Sequence, residues 1–400
     1  MTAAADSAPA EGTRSEERRA MGTACGAHAL HDGYTDLVIV MLPIWQAEFG
    51  LSYAAVGALR GVLAGTMASF QIPAGFLSER LGTPLVLAGG TALAGFAYCL
   101  ALFAGSFPAL IAVLFLVGLG ASTQHPLASS LVAHAFSGTR SLRALGTYNF
   151  AGDLGKMAIP AAGALLVTML PWRVTLALIG AVGLVVAVAL LLLTPRYRAE
   201  TAKAESDKGN HAVGGQGAFY ALLSIGVIDS ATRMGLLTFL PFLLTAKGAS
   251  LPTIGFALTL VFVGGAVGKL VCAWIGARIG VVATVWLTEG LTALGILALI
   301  VLPLEFAMML LPAIGVALNG TSSVLYGSVP LLVTPEARTR AFSIFYTGAI
   351  GSGAVAPIFY GLIGDAVGVP YALVVIAAVV LLTLPLVLVI RTRLAAATAA

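Results

Sequence analysis

The chain has 400 residues, of which 59% are apolar and only 10% are Asp, Glu, Lys or Arg, with a formal net charge of +4 and a mean hydropathy of +1.00. A soluble globular chain carries about 25% charged residues, and one of this length leaves too much surface in water to hide so much hydrocarbon. A soluble enzyme, a disordered chain and a fibre are thereby excluded.

A helix crosses a hydrocarbon core of about 30 Å with roughly 20 apolar residues. Windows of that length predict twelve spans, at 25–47, 53–77, 84–103, 109–132, 143–169, 173–194, 218–245, 252–275, 281–302, 307–331, 341–363 and 370–390. The first span is too long for a signal-peptide core and lacks a cleavage pattern, so no signal peptide is expected. Fifteen of the 21 Lys and Arg fall in the even-numbered loops and the two tails, against Arg173 and Lys247 on the opposite side. Both termini are therefore placed in the cytoplasm. The expected fold is an all-α membrane protein of twelve transmembrane helices in two pseudo-symmetric six-helix bundles. Its parts are a cytoplasmic tail over 1–23, a bundle over 24–194, a polar Gly-rich linker over 195–217, a second bundle over 218–391 and a cytoplasmic tail over 392–400.

An ionisable side chain inside a span costs several kcal/mol unless it is paired or faces water, so each marks a candidate site. Span 1 places His28, Asp32 and Asp36 at i, i+4 and i+8 on one face, with His31 rotated by about 100°. Carboxylates one turn apart repel, which favours a proton on one of them. Arg60 in span 2 either lines an outer cavity or snorkels to the headgroups. His125, in the Gln124-His125-Pro126 kink of span 4, either lines a cavity or caps the backbone beside the proline. No Cys joins His28, His31 and His125, and their spacing matches no metal site, so no metal is expected. Span 5 carries Asn149, Asp153 and Lys156, the last two within reach of a local ion pair. Span 7 carries Asp229 and Arg233 one turn apart. Lys269, near the inner end of span 8, is expected to snorkel, and Glu289 in span 9 to find a local partner. Asn319, Ser323 and Tyr326 share a face of span 10, and Tyr346 follows in span 11. A charged first half facing a mostly neutral second half suits an amphiphilic or organic ionic substrate. The three cysteines, Cys25, Cys99 and Cys272, sit in apolar runs and form neither a disulfide framework nor a ligand set.

Sliding the chain by 198 residues lays Leu42-Pro43 on Leu240-Pro241, Gly50 on Gly248, Ser52 on Ser250, Gly57 on Gly255, Arg80 on Arg278 and Gly82 on Gly280. The same offset puts Asp229 on His31 and Arg233 on Thr35. Parallel six-helix repeats are the architecture of a large transporter class with its site near the midplane.

The segment Gly75-Phe76-Leu77-Ser78-Glu79-Arg80-Leu81-Gly82 resembles the loop signature of the major facilitator superfamily, with Glu79 where Asp is usual. In the second copy Ala277 replaces the acid before Arg278. The first half resembles the fosmidomycin-resistance-like efflux branch of that superfamily. The matching pieces include Ala27-His28-Ala29-Leu30-His31-Asp32, Phe49-Gly50-Leu51-Ser52-Tyr53, His125-Pro126 with Ser129, and Gly152 with Gly155 and Pro160. Leu127 and Leu131 depart from the branch, and Lys156 interrupts its antiporter-type motif. The resemblance implies that spans 1 and 5 face a shared cavity, where Lys156 can reach Asp32 or Asp36, and that span 9 is peripheral. It also implies a gate of Gly75, Glu79, Arg80, Gly82 and Arg278, in which Glu79 docks on the start of span 11 near Arg340-Ala341-Phe342-Ser343. There the helix dipole favours an acid.

The function expected is secondary transport by alternating access: proton-coupled antiport exporting a small organic compound or drug, anions included. Asp32, Asp36 and Asp153 are the proton candidates. The substrate candidates are His28, His31, Arg60, His125, Asn149, Lys156, Asp229, Arg233, Asn319, Tyr326 and Tyr346. A symporter importing an organic anion or nutrient and a non-transporting scaffold are the alternatives. No cofactor, nucleic acid or ATP chemistry is expected, since no phosphate-binding loop is present. The expected form is a monomer in a bacterial inner membrane, with protons, a small-molecule substrate and lipid as partners. If Glu79 is a latch, Glu79→Gln depresses turnover and leaves substrate affinity of the outward state nearly intact; loss of that affinity in a binding assay would remove the gating role.

Overall fold

The computed structural model of the protein describes residues 11–136, 138–196, 216–333 and 338–399. Outside the described residues lie the first ten of the expected tail, residues 197–215 of the expected linker, and the side chains of Arg340 and Ser343 in the stretch expected to receive Glu79. The first half of the chain folds into α1 (Glu11–Phe49), α2 (Tyr53–Leu81), α3 (Thr83–Leu100, prolonged by a 3-10 turn at Ala101–Phe103), α4 (Phe107–Ala121), α5 (Gln124–Ala135), α6 (Gly138–Leu166) and α7 (Trp172–Leu193). The second half gives α8 (Gln216–Ala246), α9 (Leu251–Ile279), α10 (Val281–Val301), α11 (Leu304–Leu332), α12 (Arg338–Val367), α13 (Val369–Leu381) and α14 (Thr383–Ala399).

Two expected spans are broken. The helix expected over 109–132 divides between α4 and α5, and that over 370–390 between α13 and α14. In each case a proline, Pro126 or Pro385, occupies the third position of the following helix, in the first turn where a missing N–H costs least. Helix extends into both stretches expected as tails. The helix α1 begins at Glu11 because its extension has something to pack on: Ala20 and Ala24 are buried against Ala128, Leu131 and Tyr148. Glu17 pairs with Arg140 at 2.7 Å, and Arg19 Nε donates to the Leu193 carbonyl at 3.0 Å. At the other terminus α14 carries the helix through to Ala399.

Ten helices among the described residues are long and apolar enough to cross a membrane, counting α4–α5 and α13–α14 as one each. The long helices that fall short are α1 and α6, which carry His28, Asp32 and Asp36, and Asp153 and Lys156. Side chains such as Val185 and Leu192 on α7 and Leu294 on α10 stand exposed, as a lipid-facing surface requires.

The sequence repeat has structural counterparts. Gly50 and Gly248, and likewise Gly82 and Gly280, take φ between +61° and +88°, a region that favours glycine. Ser52 and Ser250 cap α2 and α9 by accepting from the backbone N–H three residues on. Helix pairing repeats as well: α1 packs on α6, α2 on α4 and α3 on α7, as α8 packs on α12, α9 on α11 and α10 on α13. The halves meet along α2 with α12 and α6 with α9.

Among the described residues, the hydrogen bonds and closest approaches between halves lie from mid-depth to the end away from the chain termini. There Gly57 abuts the Pro357 carbonyl and Gly255 abuts Ala164, and the Thr259 hydroxyl donates to the Met157 carbonyl at 3.1 Å. Asp365 at the end of α12 caps α2, accepting from Tyr53 N at 2.6 Å and Ala54 N at 3.0 Å, where the helix dipole favours an anion. At the same end Arg173 Nη2 and the Trp172 indole both donate to Glu48. Burial pushes this carboxyl up, but those two donors hold it below the ordinary carboxylate range.

Close backbone approach is the device that packs these helices. A methyl at Gly155 of α6 runs into the Ala29 carbonyl of α1, whereas one at Gly26 of α1 meets open space. Gly155→Ala is expected to cost about 1–3 kcal/mol through overpacking. Thermal unfolding of the purified protein should show a lowered midpoint for Gly155→Ala and an unchanged or raised one for Gly26→Ala.

Candidate functional site

The 3.6-residue period puts His28, Asp32 and Asp36 along one face of α1, and α6 lies against that face with Gly152. A Cβ at Gly152 would sit 2.6 Å from His28 Nε2 and 2.7 Å from Asp32 Oδ2, so glycine is what admits the cluster. His28 Nδ1 lies 2.9 Å from the Tyr148 carbonyl. A carbonyl only accepts, so Nδ1 carries a hydrogen. The ring also stacks on Tyr148, with centroids 4.2 Å apart, and Tyr148 accepts from the Gln124 amide.

That fixed orientation turns His28 Nε2 toward Asp32 Oδ2 at 3.2 Å. Two bare acceptors repel at this distance, so the contact calls for a proton on one of them. Lys156 Nζ reaches the same carboxylate oxygen at 3.1 Å, and His125 Nε2 stands 3.6 Å from Oδ1. Asp32 is thus the centre of a cluster drawn from α1, α5 and α6. The donor atoms of His28, Asp32 and His125 lie within 4.8 Å of one another, a spacing a metal ion could use. The Lys156 ammonium already supplies positive charge to the same Asp32 carboxylate.

The other charges also find partners. Arg60 Nη2 donates to Asp36 Oδ1 at 2.7 Å, and Nη1 donates to the Thr35 carbonyl. Arg60 is 5% exposed, which corrects the expectation of an outer-cavity or snorkelling residue: an acid on the next helix holds it inside. Asp36 is correspondingly tied up as a partner of Arg60. Asp153 does not pair with Lys156. It receives Lys269 Nζ on both oxygens, at 2.8 and 2.7 Å, so Lys269 does not snorkel but crosses from α9 to α6. His31 is turned to α3, where its Nε2 meets the Thr91 hydroxyl at 2.9 Å; at 1% exposure it stands behind the cluster rather than in a cavity.

A cavity at mid-depth between the halves is lined by Asp36, Asp153, Lys156, Arg233, Lys269 and Asn319, with Met234, Leu237 and Phe262 as its apolar wall. Asn149 is exposed one turn from Asp153 toward the end bearing the termini. In the second half Arg233 Nη2 lies 3.7 Å from Asp229 Oδ2. Tyr326 and Tyr346 stack at 4.7 Å with their rings 23° apart, a flat face of α11 and α12. Glu289 departs from the peripheral position expected of it: it is 1% exposed, and Asp229 and Arg233 of α8 act on its charge. Sequence reasoning missed Lys269 and Glu289 as site residues, although both were visible as charges within apolar windows.

Of the expected gate, Gly82 ends α2 with its positive φ, and its N–H donates to the Ser78 carbonyl. Glu79 and Arg80 are exposed, and Gly75 has open space beside it. Arg278 lies over the Trp274 ring at 3.9 Å, a cation–π contact. Among the described residues Glu79 holds no ion pair or hydrogen bond.

The sequence matches the family model described as Major Facilitator Superfamily over residues 24–224 and again over 222–399. It is 28% identical over 147 residues to the fosmidomycin resistance protein of Escherichia coli, covering 37% of this chain and 36% of that protein. It is 26% identical over 173 residues to the uncharacterized MFS-type transporter YfnC of Bacillus subtilis, covering 43% and 41%. The matched stretches thus span about two fifths of these relatives' lengths. The fold is similar to that of a bacterial homolog to the human lysosomal transporter Spinster in an inward-facing and unoccupied conformation. The TM-score is 0.78 at 15% identity, over 97% of this chain and 99% of that one. It is similar also to a mutant of the nucleoside transporter NupG, with a TM-score of 0.76 at 12% identity over 93% and 99%. With one match of the family model on each half, this chain belongs to the Major Facilitator Superfamily of membrane transporters.

Proposed function

We propose that the protein is a proton-coupled secondary transporter that exports a small organic compound by alternating access to the mid-depth cavity. The observation that carries this reading is the Asp153–Lys269 ion pair, which joins the two halves beside that cavity. Asp32–Lys156, Asp36–Arg60 and Asp229–Arg233 each lie within one half, and rigid rocking leaves them whole. Rocking that parts the halves strains or breaks Asp153–Lys269. Protonation of Asp153, or a charged substrate competing for either partner, then shifts the balance between states.

In this reading twelve spans form two six-helix bundles over 24–194 and 218–391, joined by 195–217, with both termini in the cytoplasm and the protein monomeric in a bacterial inner membrane. Contacts between the halves that run from mid-depth to the far end are what an inward-open state should show, and the likeness to an inward-facing structure supports it. The His28–Asp32 contact supplies the proton seat. The relative named for fosmidomycin resistance supports export.

Import of an organic anion with a proton has its own footing. Lys156, Arg233 and Lys269 all line the cavity, and an anion drawn to them releases carboxylates to take up protons. In proteoliposomes under an imposed pH gradient, fosmidomycin and a panel of organic ions are expected to accumulate on the acidic side. Accumulation on the alkaline side would establish symport, and no gradient-driven movement of any of them would remove proton coupling.

The ion pair makes a second, asymmetric prediction. The Asp153 side chain is 11% exposed and that of Lys269 40%, so losing the lysine strands the better-buried charge. Lys269→Gln is expected to cost about 1–2 kcal/mol, below the 3–5 of a fully buried pair because of this exposure. Asp153→Asn should cost less, and the double variant should match Asp153→Asn rather than the sum. Thermal unfolding of the three variants in detergent reads this order.

A further inference from the structure

A second cluster of buried charge lies in the other half, away from Asp32. Asp229 and Arg233 come from α8 and Glu289 from α10. Asp229 is 4% exposed and Glu289 1%. The Arg233–Asp229 contact of 3.7 Å is long for an ion pair, and Arg233 Nε and Glu289 Oε1 are buried with no hydrogen-bond partner. The helix α10 packs against α8, α9, α11, α13 and α14, and the charged groups that act most on Glu289 are Asp229 and Arg233 of α8. From α11 the Thr321 hydroxyl also interacts with Glu289, and Tyr326 stands near Arg233 and Asp229.

Two carboxyls and one guanidinium in a dry pocket balance their charge only when a proton is present. The hydroxyls indicate where it sits. Thr288 Oγ1 donates to the Thr284 carbonyl at 2.9 Å, and Thr321 Oγ1 donates to Thr288 Oγ1 at 2.7 Å. With both hydroxyl hydrogens spent in that direction, neither threonine is free to donate to Glu289, and Glu289 Oε1 is buried without a partner. A neutral carboxylic acid bears that isolation at far lower cost than a bare carboxylate.

We propose that Asp229, Arg233 and Glu289 form a proton-binding site of the second half, with one proton resident on Glu289. The proton is bound whether or not the protein transports; its part in coupling rests on the proton-coupled reading above. Arg233 links this site to cargo because it also lines the cavity. A cargo anion that draws Arg233 away leaves two acids without a cation, and the site takes up a second proton. A cargo cation near the acids drives the resident proton out. The charge of the cargo thus decides whether proton and cargo bind together or compete.

Infrared spectroscopy of the full chain in lipid vesicles at neutral pH, with no cargo added, tests the site. Wild type is expected to show the C=O band of a buried carboxylic acid, shifted on exchange into D2O. The band should be lost in Glu289→Gln and kept in Asp32→Asn. It should also be lost in Asp229→Asn, where Arg233 is left to Glu289 alone, and it should grow in Arg233→Gln, where both acids lack a cation. A band undiminished in Glu289→Gln overturns the assignment. So does one at full strength in Asp229→Asn, a variant that keeps Glu289 and serves if Glu289→Gln does not fold. If the band behaves as expected while a pH gradient moves no cargo, the site stands and proton coupling falls. If a gradient drives cargo and wild type shows no band, coupling stands and this site falls.

Discussion

The constraint on which this structure depends is the cost of holding an ion in hydrocarbon. A carboxylate or ammonium deprived of water loses several kcal/mol of solvation and recovers it only from a close counter-charge. Asp36 answers with Arg60 from the next helix, Asp32 with Lys156 and two imidazoles, and Asp153 with Lys269 from the other half. These pairings determine which face of α1 looks at α6, why Gly152 must lack a side chain, and where α9 meets α6 at mid-depth. Dispersion between small residues lets the helices approach; the ion pairs decide their rotation.

The two halves use the constraint differently. The first half supplies Asp32 and Asp36 with cations and imidazoles of its own and leaves Asp153 to Lys269 of the other half. The second half has two acids around one guanidinium, with a hydroxyl relay and a pair of stacked tyrosines nearby. The repeated fold is thus asymmetric in its buried charge: acids and cations are matched around Asp32, whereas Asp229 and Glu289 share the one cation Arg233. The Asp153–Lys269 bridge lies between them and is the contact that must yield when the halves move.

Much of this was legible in the sequence because lipid makes charge rare. Each acid or base inside an apolar window stood out, and the 198-residue offset located glycines and serines that do turn and cap both halves alike. The partners were less legible. Asp153 and Lys269 are 116 residues apart, and nothing local marks them as neighbours, so Lys156, three residues away, looked like the nearer choice. Lys269 looked like a snorkelling residue because the end of its helix was expected at 275, whereas α9 continues to Ile279. Glu289 was assigned to the periphery from the usual place of its helix, yet its side chain points inward to α8. The charges of the expected tail also hide an alanine face, Ala20 and Ala24, that α5 and α6 cover.

That α1 and α6 are less apolar than the ten helices able to cross a membrane by length and composition bears on how the chain is made. Translocation machinery admits a segment by its hydropathy, and two carboxylates near the middle of a helix weigh heavily against entry. The counter-charges of α1 follow it in the chain: Arg60 comes with the second long helix, and Lys156 more than a hundred residues on. Either its acids enter protonated, or α1 waits beside the insertion channel until α2 and α6 neutralise it. The ion pairs of the finished site are in that sense also what lets α1, α2 and α6 lie together in a bilayer.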